Sequence, residues 1–193
     1  MIIPIGVDCG MAEFCKKHNL RTMSFPFDWI VSYNGVSKCI ENKFEEFTEP
    51  LNNRINKYDM CFVHDFELNG NHEHDKEKYN RRCNRLMNIL ETNEEIIFCR
   101  KGHASHLHAE HNGKYSVIAN EIEDAERLTN FLKNYPELNY KIIVILVCGK
   151  CYDNTCIYKS NSDKIEIYNI ATPKAEDAIF EKCCRGIFNI KST

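Results

Sequence analysis

Residues 2–10 have the sequence IIPIGVDCG, which decides the fold of the chain. The apolar run at 2–7 predicts a buried strand, and the Asp-Cys-Gly that follows predicts a turn. From residue 11 to residue 18, Met, Phe, Cys and His recur at the i, i+3, i+4 and i+7 positions of one helix face. The pattern therefore places the thiol of Cys9 at the N-terminus of a first helix, directly after a first strand.

The position of Cys9 favours a catalytic role. Unpaired N–H groups and the positive end of the helix dipole favour the thiolate, which is the nucleophilic form. The backbone N–H groups of Cys9 and Gly10 can hold an oxyanion that develops on a substrate. The alternative is that Cys9 is one small buried apolar residue among eleven cysteines, since free cysteine is among the most buried residue types.

Length and charge limit the class of protein. The 193 residues fit one domain, and a net charge of −3 without a block of like charges predicts neither nucleic-acid nor membrane-surface binding. No apolar stretch approaches the ~18 residues of a membrane span, and we predict no cleavable leader. An odd number of scattered cysteines favours reduced thiols, so we expect a cytoplasmic protein.

Apolar strands alternate with amphipathic helices along the rest of the chain. Further strands are predicted at 60–63, 96–99, 142–147 and 165–168, and further helices at 36–47, 79–90, 122–132 and after 172–173. This alternation predicts an α/β fold in three layers, with a mostly parallel sheet covered by helices on both faces. Ligands of such sheets bind beyond the carboxyl ends of the strands, where we expect Cys9, His64 and Arg100.

Cys9, His64 and a carboxylate form the minimal set for acyl transfer by a thiol. His64 follows the second predicted strand and is the candidate general base. Asp65 or Asp28 is the candidate carboxylate that orients it. The alternatives are a strand-end histidine satisfied by backbone groups and carboxylates that cap turns.

Four other residues are candidates for binding the substrate. Gly10 supplies an oxyanion donor, and Arg82 and Arg100 are candidates for binding an anion. Trp29 is a candidate stacking platform, although a lone tryptophan in a loop is also a common core anchor.

Six motifs carry a resemblance to a known family. In chain order they are GVDC at 6–9, FPFDW at 25–29, ENKFEEF at 41–47, HDF at 64–66, KYNRR at 78–82 and FCRK at 98–101. Together they resemble a domain family of unknown function described as "putative papain-like cysteine peptidases". The resemblance is strongest over 2–101 and weakens over 120–147, which gives one domain at 1–193 with a family-like core at 2–147 and a cysteine-rich C-terminal extension at 148–193.

The resemblance implies roles for particular residues. It implies Cys9 as the nucleophile and His64 as its base, with Asp28 and Trp29 in the aromatic loop. A papain-like scaffold also implies an α+β arrangement with an antiparallel sheet, which is the alternative to the parallel sheet predicted from the strand and helix pattern.

We therefore expect a cysteine-dependent hydrolase that needs no cofactor and acts on a peptide, a protein or a small amide or ester. One alternative is an esterase similar to the SGNH enzymes, with Cys9 in place of their serine after the first strand. Another is a binding module without catalysis. Histidine clusters at 72–74 and 103–111, and cysteines at 148, 151, 156, 183 and 184, are interpreted as solvated loops and structural thiols rather than as metal sites.

Overall fold

The computed structural model describes residues 1–32, 36–51, 54–103, 118–148, 160–171 and 176–190. Strands and helices alternate along these residues as the sequence predicts. They are β1 (Ile2–Pro4), α1 (Gly10–Lys17), β2 (Val31–Ser32), α2 (Val36–Glu41), β3 (Met60–Cys61), α3 (His72–Leu90), β4 (Glu95–His103), α4 (Ile118–Leu132), β5 (Asn139–Cys148), β6 (Ile165–Ala171) and α5 (Glu176–Ile187).

The main sheet has four parallel strands in the order β1-β4-β5-β6. Ile3 lies beside Phe98, and Phe98 lies beside Ile142. The α/β prediction is confirmed, and the α+β alternative is wrong because every pairing in this sheet is parallel. A central strand covered on both faces needs apolar side chains at consecutive positions, which explains the unbroken apolar run at 142–147.

Two apolar cores, one on each face of the sheet, hold the helices. Phe98 and Ile142 face the core that also receives the buried faces of α2, α3 and α4. Their chain neighbours Cys99 and Ile143 face the opposite core, together with α1 and α5. Adjacent residues of a strand point to opposite faces, so the two cores alternate along β4 and β5.

A second, small sheet contradicts the predicted place of the strand at 60–63. Here β3 pairs with β2 in antiparallel fashion, with Cys61 opposite Val31. Strand β2 lies beside the segment that follows β1, where the Ser32 N–H donates to Val7 O at 2.9 Å. His64 therefore follows a strand of the small sheet and does not follow a strand of the parallel sheet.

Two predicted boundaries also differ. Strand β4 continues past Cys99 to His103 because β5 continues beside it, with Arg100 opposite Val144. The described part of the predicted extension lies in the main fold, since β6 pairs with β5 and α5 packs in the core that contains α1. The sequence YSVI at 115–118 also predicts a short strand, but this segment lies largely outside the described residues. None of the described helices is long and apolar enough to cross a membrane.

Candidate active site

Cys9 begins the first helix and is partly exposed to solvent. It is the N-cap residue of α1, and its carbonyl accepts the Glu13 N–H at 2.9 Å. Among the eight cysteines with a described environment, Cys9 and Cys183 are half-buried and the other six are buried. The thiol of Cys9 is thus accessible to a reagent or a substrate.

Asp8 and Lys101 fill the space beside the start of α1. Asp8 Oδ1 accepts the Gly10 N–H at 2.8 Å, and Asp8 Oδ2 lies 3.1 Å from Lys101 Nζ. A Cβ on Gly10 would lie 3.0 Å from Asp8 Oδ1 and 3.2 Å from Lys101 Nζ, so glycine permits this close approach. In this structure the Gly10 N–H already donates to Asp8, and its oxyanion role stays a prediction.

The sequence analysis missed Lys101, whose side chain is only 7% exposed. Its ammonium group also lies 5.1 Å from the centre of the Phe180 ring on α5. The sequence could have placed Lys101 here, because it lies two residues after Cys99 on β4 and side chains two residues apart on a strand face the same side of the sheet. That side is the one on which α1 begins.

The environment of Cys9 raises the pKa of its thiol above the usual range. Burial is the largest cause, followed by the negative charges of Glu13 and Asp8. The sequence analysis predicted that the helix N-terminus favours the thiolate and so lowers this pKa. The direction is wrong, because Glu13, one helical turn after Cys9, and Asp8, directly before it, place negative charges near the thiol. Cys9 is a thiol at neutral pH and needs a base to become a nucleophile.

Glu13→Gln is expected to lower the pKa of Cys9, because it removes the larger of the two negative-charge effects that raise this pKa. At pH 8, alkylation of Cys9 by iodoacetamide should become roughly two- to fivefold faster. Glu77→Gln, an exposed glutamate on α3, is the matched control and should leave the rate unchanged. Equal rates in all three proteins would show that Glu13 does not act on the thiol.

His64 is exposed, and its ring makes an edge contact with Trp29, with 6.3 Å between ring centroids. The segments that carry Cys9, Trp29 and His64 meet in one small apolar cluster formed by Val7, Val31 and Cys61, against which Ile55 and Val63 pack. Within the described residues, Cys9 and His64 are not hydrogen-bonded to each other. The fold brings their backbones to the same cluster and leaves the His64 ring against Trp29.

Neither predicted carboxylate orients His64. Asp65 Oδ1 pairs with Lys78 Nζ, and Asp65 Oδ2 accepts the hydrogen bond of the Tyr79 hydroxyl at 2.8 Å. Both carboxylate oxygens of Asp65 therefore have partners on α3. Its neighbour His64 makes no hydrogen bond with it among the described residues.

Asp28 is fully buried, where it pairs with Arg21 and accepts the Phe25 N–H at 3.0 Å. These contacts close the turn that ends at Trp29. In this structure neither carboxylate contacts His64, whose ring lies against Trp29, and the orienting role of Asp65 or Asp28 stays a prediction.

The side chain of Arg100 is buried among protein acceptors. Its guanidinium donates to both carboxylate oxygens of Glu121, to Ile5 O, and to the hydroxyl and carbonyl oxygens of Ser32, at 2.5–3.1 Å. These acceptors use all five N–H groups in this structure, and the anion-binding role of Arg100 stays a prediction. Arg82 lies over the Tyr79 ring at 5.2 Å, and one of its buried nitrogens, Nη1, has no hydrogen-bond partner.

In the parts of the chain that the structure describes, no group of three or more His, Cys, Asp or Glu side chains can hold a metal ion. The histidines at 106, 108 and 111 and the cysteines at 151 and 156 lie outside the described residues.

Residues 1–60 match the model of a family described as "putative papain-like cysteine peptidase". The matched part contains Cys9, Asp28 and Trp29 and ends before His64. The chain is also similar to an uncharacterized protein of Acanthamoeba polyphaga mimivirus, with 27% identity over 135 residues, covering 52% of this chain and 60% of that protein. This chain thus matches less than two thirds of the length of that relative. No solved structure matches the chain.

Proposed function

We propose that this protein is a thiol-dependent hydrolase of peptide or amide bonds, with Cys9 as the nucleophile and His64 as the general base. One observation carries the proposal. The loops of a half-exposed helix-terminal thiol and an exposed imidazole meet at the cluster of Val7, Val31 and Cys61. The family description of residues 1–60 supports a peptidase in the same direction.

The reaction follows from the protonation state of the thiol. A ring nitrogen of His64 takes the proton from Cys9 Sγ as the sulfur attacks the carbonyl carbon of the substrate. The C–N bond then breaks, and the imidazolium returns the proton to the leaving amine. Water, deprotonated by the same imidazole, hydrolyses the thioester and regenerates the thiol. The backbone N–H of Cys9 is the proposed donor to the oxyanion.

Trp29 takes the place that a carboxylate has in a catalytic triad. An aromatic ring in edge contact limits the orientations of the imidazole. In the proposed step, the His64 ring turns away from Trp29 and reaches Cys9 Sγ when an electrophile, either a substrate or an alkylating reagent, approaches the thiol. Apo geometry at catalytic hydrogen bonds is commonly loose and tightens in the complex.

Ester hydrolysis is the second candidate activity. The observation that favours it is the position of Cys9, in the turn between the first strand of a parallel sheet and the following helix, which is similar to the serine of the SGNH esterases. Matched ester and amide substrates with one acyl group separate the two activities. If the protein cleaves neither the ester nor the amide substrate, the result favours the alternative of a binding module without catalysis.

Selective alkylation tests the proposed pair. After brief exposure to iodoacetamide at pH 7.5, peptide mapping by mass spectrometry should show Cys9 labelled faster than Cys183, the other half-buried thiol. His64→Gln should slow the labelling of Cys9 roughly tenfold and leave Cys183 unchanged. His74→Gln, an exposed histidine on α3, is the control and should have no effect. The proposal would be contradicted if Cys9 were labelled no faster than Cys183, or if His64→Gln and His74→Gln slowed the labelling of Cys9 equally.

The proposed location is the cytoplasm. The eight cysteines whose side-chain environment is described are free thiols, which fits a reducing compartment. The proposed ligands are peptides, proteins or small amides and esters, and no cofactor takes part in the proposed steps.

A further inference from the structure

A second candidate binding site lies beside the loop that carries His64. It is a cavity of about 650 Å³, lined by Leu51, Arg54, Phe66, Glu67, Leu68 and His72. Cavities that bind small ligands have volumes of this order and combine an apolar lining with a few polar groups. The residues of the hydrolase proposal do not line it.

Two leucines in this cavity have unusual exposure. Leu51 is 70% exposed and Leu68 is 94% exposed. They are two of the three large hydrophobic residues that are exposed in the described parts of the chain, and both line the same cavity. The Phe66 ring forms a buried wall beside them. Apolar side chains gathered in one cavity and exposed to water gain free energy when an apolar group covers them.

Arg54 supplies a cation with donors to spare. Its Nη1 donates to Val63 O at 3.2 Å and lies 3.8 Å from Glu67 Oε1. Among the described residues, the other nitrogens of this guanidinium have no protein acceptor. Helix α3 begins at His72 in the same cavity, and the positive end of its dipole also favours an anion. A carboxylate bound there gains the strong, charge-assisted hydrogen bonds of a guanidinium.

We propose that this cavity binds the C-terminal residue of a peptide whose last side chain is apolar. The side chain packs against Leu51, Leu68 and Phe66, and the terminal carboxylate pairs with Arg54. Because Arg54 is bonded to the carbonyl of Val63, the residue before His64, the bound peptide lies against the loop of the proposed base. The use of this cavity as a substrate subsite rests on the proposed hydrolase function, whereas binding itself does not.

Glu67 competes with the ligand for the same cation. Its carboxylate is largely exposed and only loosely paired with Arg54, so a ligand carboxylate displaces it at small cost. Substitutions of Arg54 and Glu67 therefore have opposite effects on binding. Partial unfolding would weaken binding in both variants, so it cannot explain weaker binding after a substitution of Arg54 together with tighter binding after a substitution of Glu67.

The test measures binding of N-acetyl-leucine to the Cys9→Ser protein by NMR titration, so that no thiol chemistry contributes. N-acetyl-leucinamide, which lacks the charge, and N-acetylglycine, which lacks the side chain, are the matched probes. N-acetyl-leucine should bind at least about tenfold more tightly than either, with shifts at the backbone amides of the cavity.

Arg54→Gln should weaken binding of N-acetyl-leucine roughly tenfold, and Leu68→Ser roughly threefold. Glu67→Gln should tighten it roughly threefold. Met23→Ser removes the third exposed hydrophobic residue, lies at a different cavity and should change nothing. Equal binding of the three probes, or the same direction of change for Arg54 and Glu67 variants, would overturn the proposal. Failure of Cys9 labelling with intact binding would overturn the hydrolase alone.

Discussion

Arg100→Met is expected to destabilise the protein by about 3–5 kcal/mol, because it leaves the carboxylate of Glu121 buried without its partner. The side chains of Arg100 and Glu121 are 4% and 1% exposed. The same substitution removes the donors to Ile5 O and to Ser32, which join β1, β2 and β4. Urea unfolding followed by circular dichroism measures the loss.

Arg81→Met is the matched control for this prediction. Arg81 and its partner Glu77 are each 62% exposed on α3, so breaking this pair should cost no more than about 0.5 kcal/mol. The double variant Arg100→Met/Glu121→Leu should recover a large part of the loss, because no uncompensated charge remains. A cost for Arg100→Met close to that of Arg81→Met would show that the buried pair contributes little to the fold.

Phe47→Ala is expected to cost about 3–5 kcal/mol through the cavity that it leaves. Phe47 is 1% exposed, and its ring lies 5.3–6.2 Å from the rings of Phe27, Phe44, Phe62 and Tyr79. The loss is a large fraction of the ~5–15 kcal/mol that stabilises a typical domain. Thermal unfolding measures it.

The position of Phe47 links this loss to the candidate site. Phe27 lies two residues before Trp29, and Phe62 lies two residues before His64, so the aromatic cluster fixes the loops of both rings. Phe47→Leu should cost less than Phe47→Ala because it leaves a smaller cavity, and the His64 proton resonances should keep the shift that the Trp29 ring causes. Leu51→Ala, which truncates an exposed side chain, should cost less than about 0.5 kcal/mol. A small cost for Phe47→Ala would exclude a central role of the cluster.

The parallel sheet could be predicted because its strands carry their own signal. The run at 142–147 is apolar at every position, which only a strand covered on both faces requires. The turn at Cys9 was equally visible, because an apolar run gives way there to a helical period. Both features depend on residues close together in the chain.

The partners of polar residues could not be predicted in the same way. Arg100 marks the end of an apolar run in the sequence, yet the strand continues because Glu121, far along the chain on α4, neutralises its charge. His64 follows a strand-like segment, but which sheet that segment joins depends on Ser32 reaching Val7. Pairings between residues that lie far apart in the chain produce no periodic pattern in the sequence.

The candidate site shows the same division. The sequence proposed Cys9, His64 and Trp29 as site residues, and these roles stay predictions; the backbone brings the three segments to one apolar cluster. Asp65 and Asp28 had the right residue type for a catalytic carboxylate, but Lys78, Tyr79 and Arg21 engage them. A residue type states what a side chain can do, and only its neighbours determine what it does.

Pro4 sets a limit on how a peptide can approach Cys9. The Ile5 N–H bonds to Cys99 O, so alternate backbone groups of β1, those of Ile2 and Pro4, point away from β4 at a buried edge of the parallel sheet. Proline has no N–H to offer an incoming strand there. In the proposed hydrolase, a peptide therefore binds through pockets for its side chains and its terminus, and not by adding a strand to this edge.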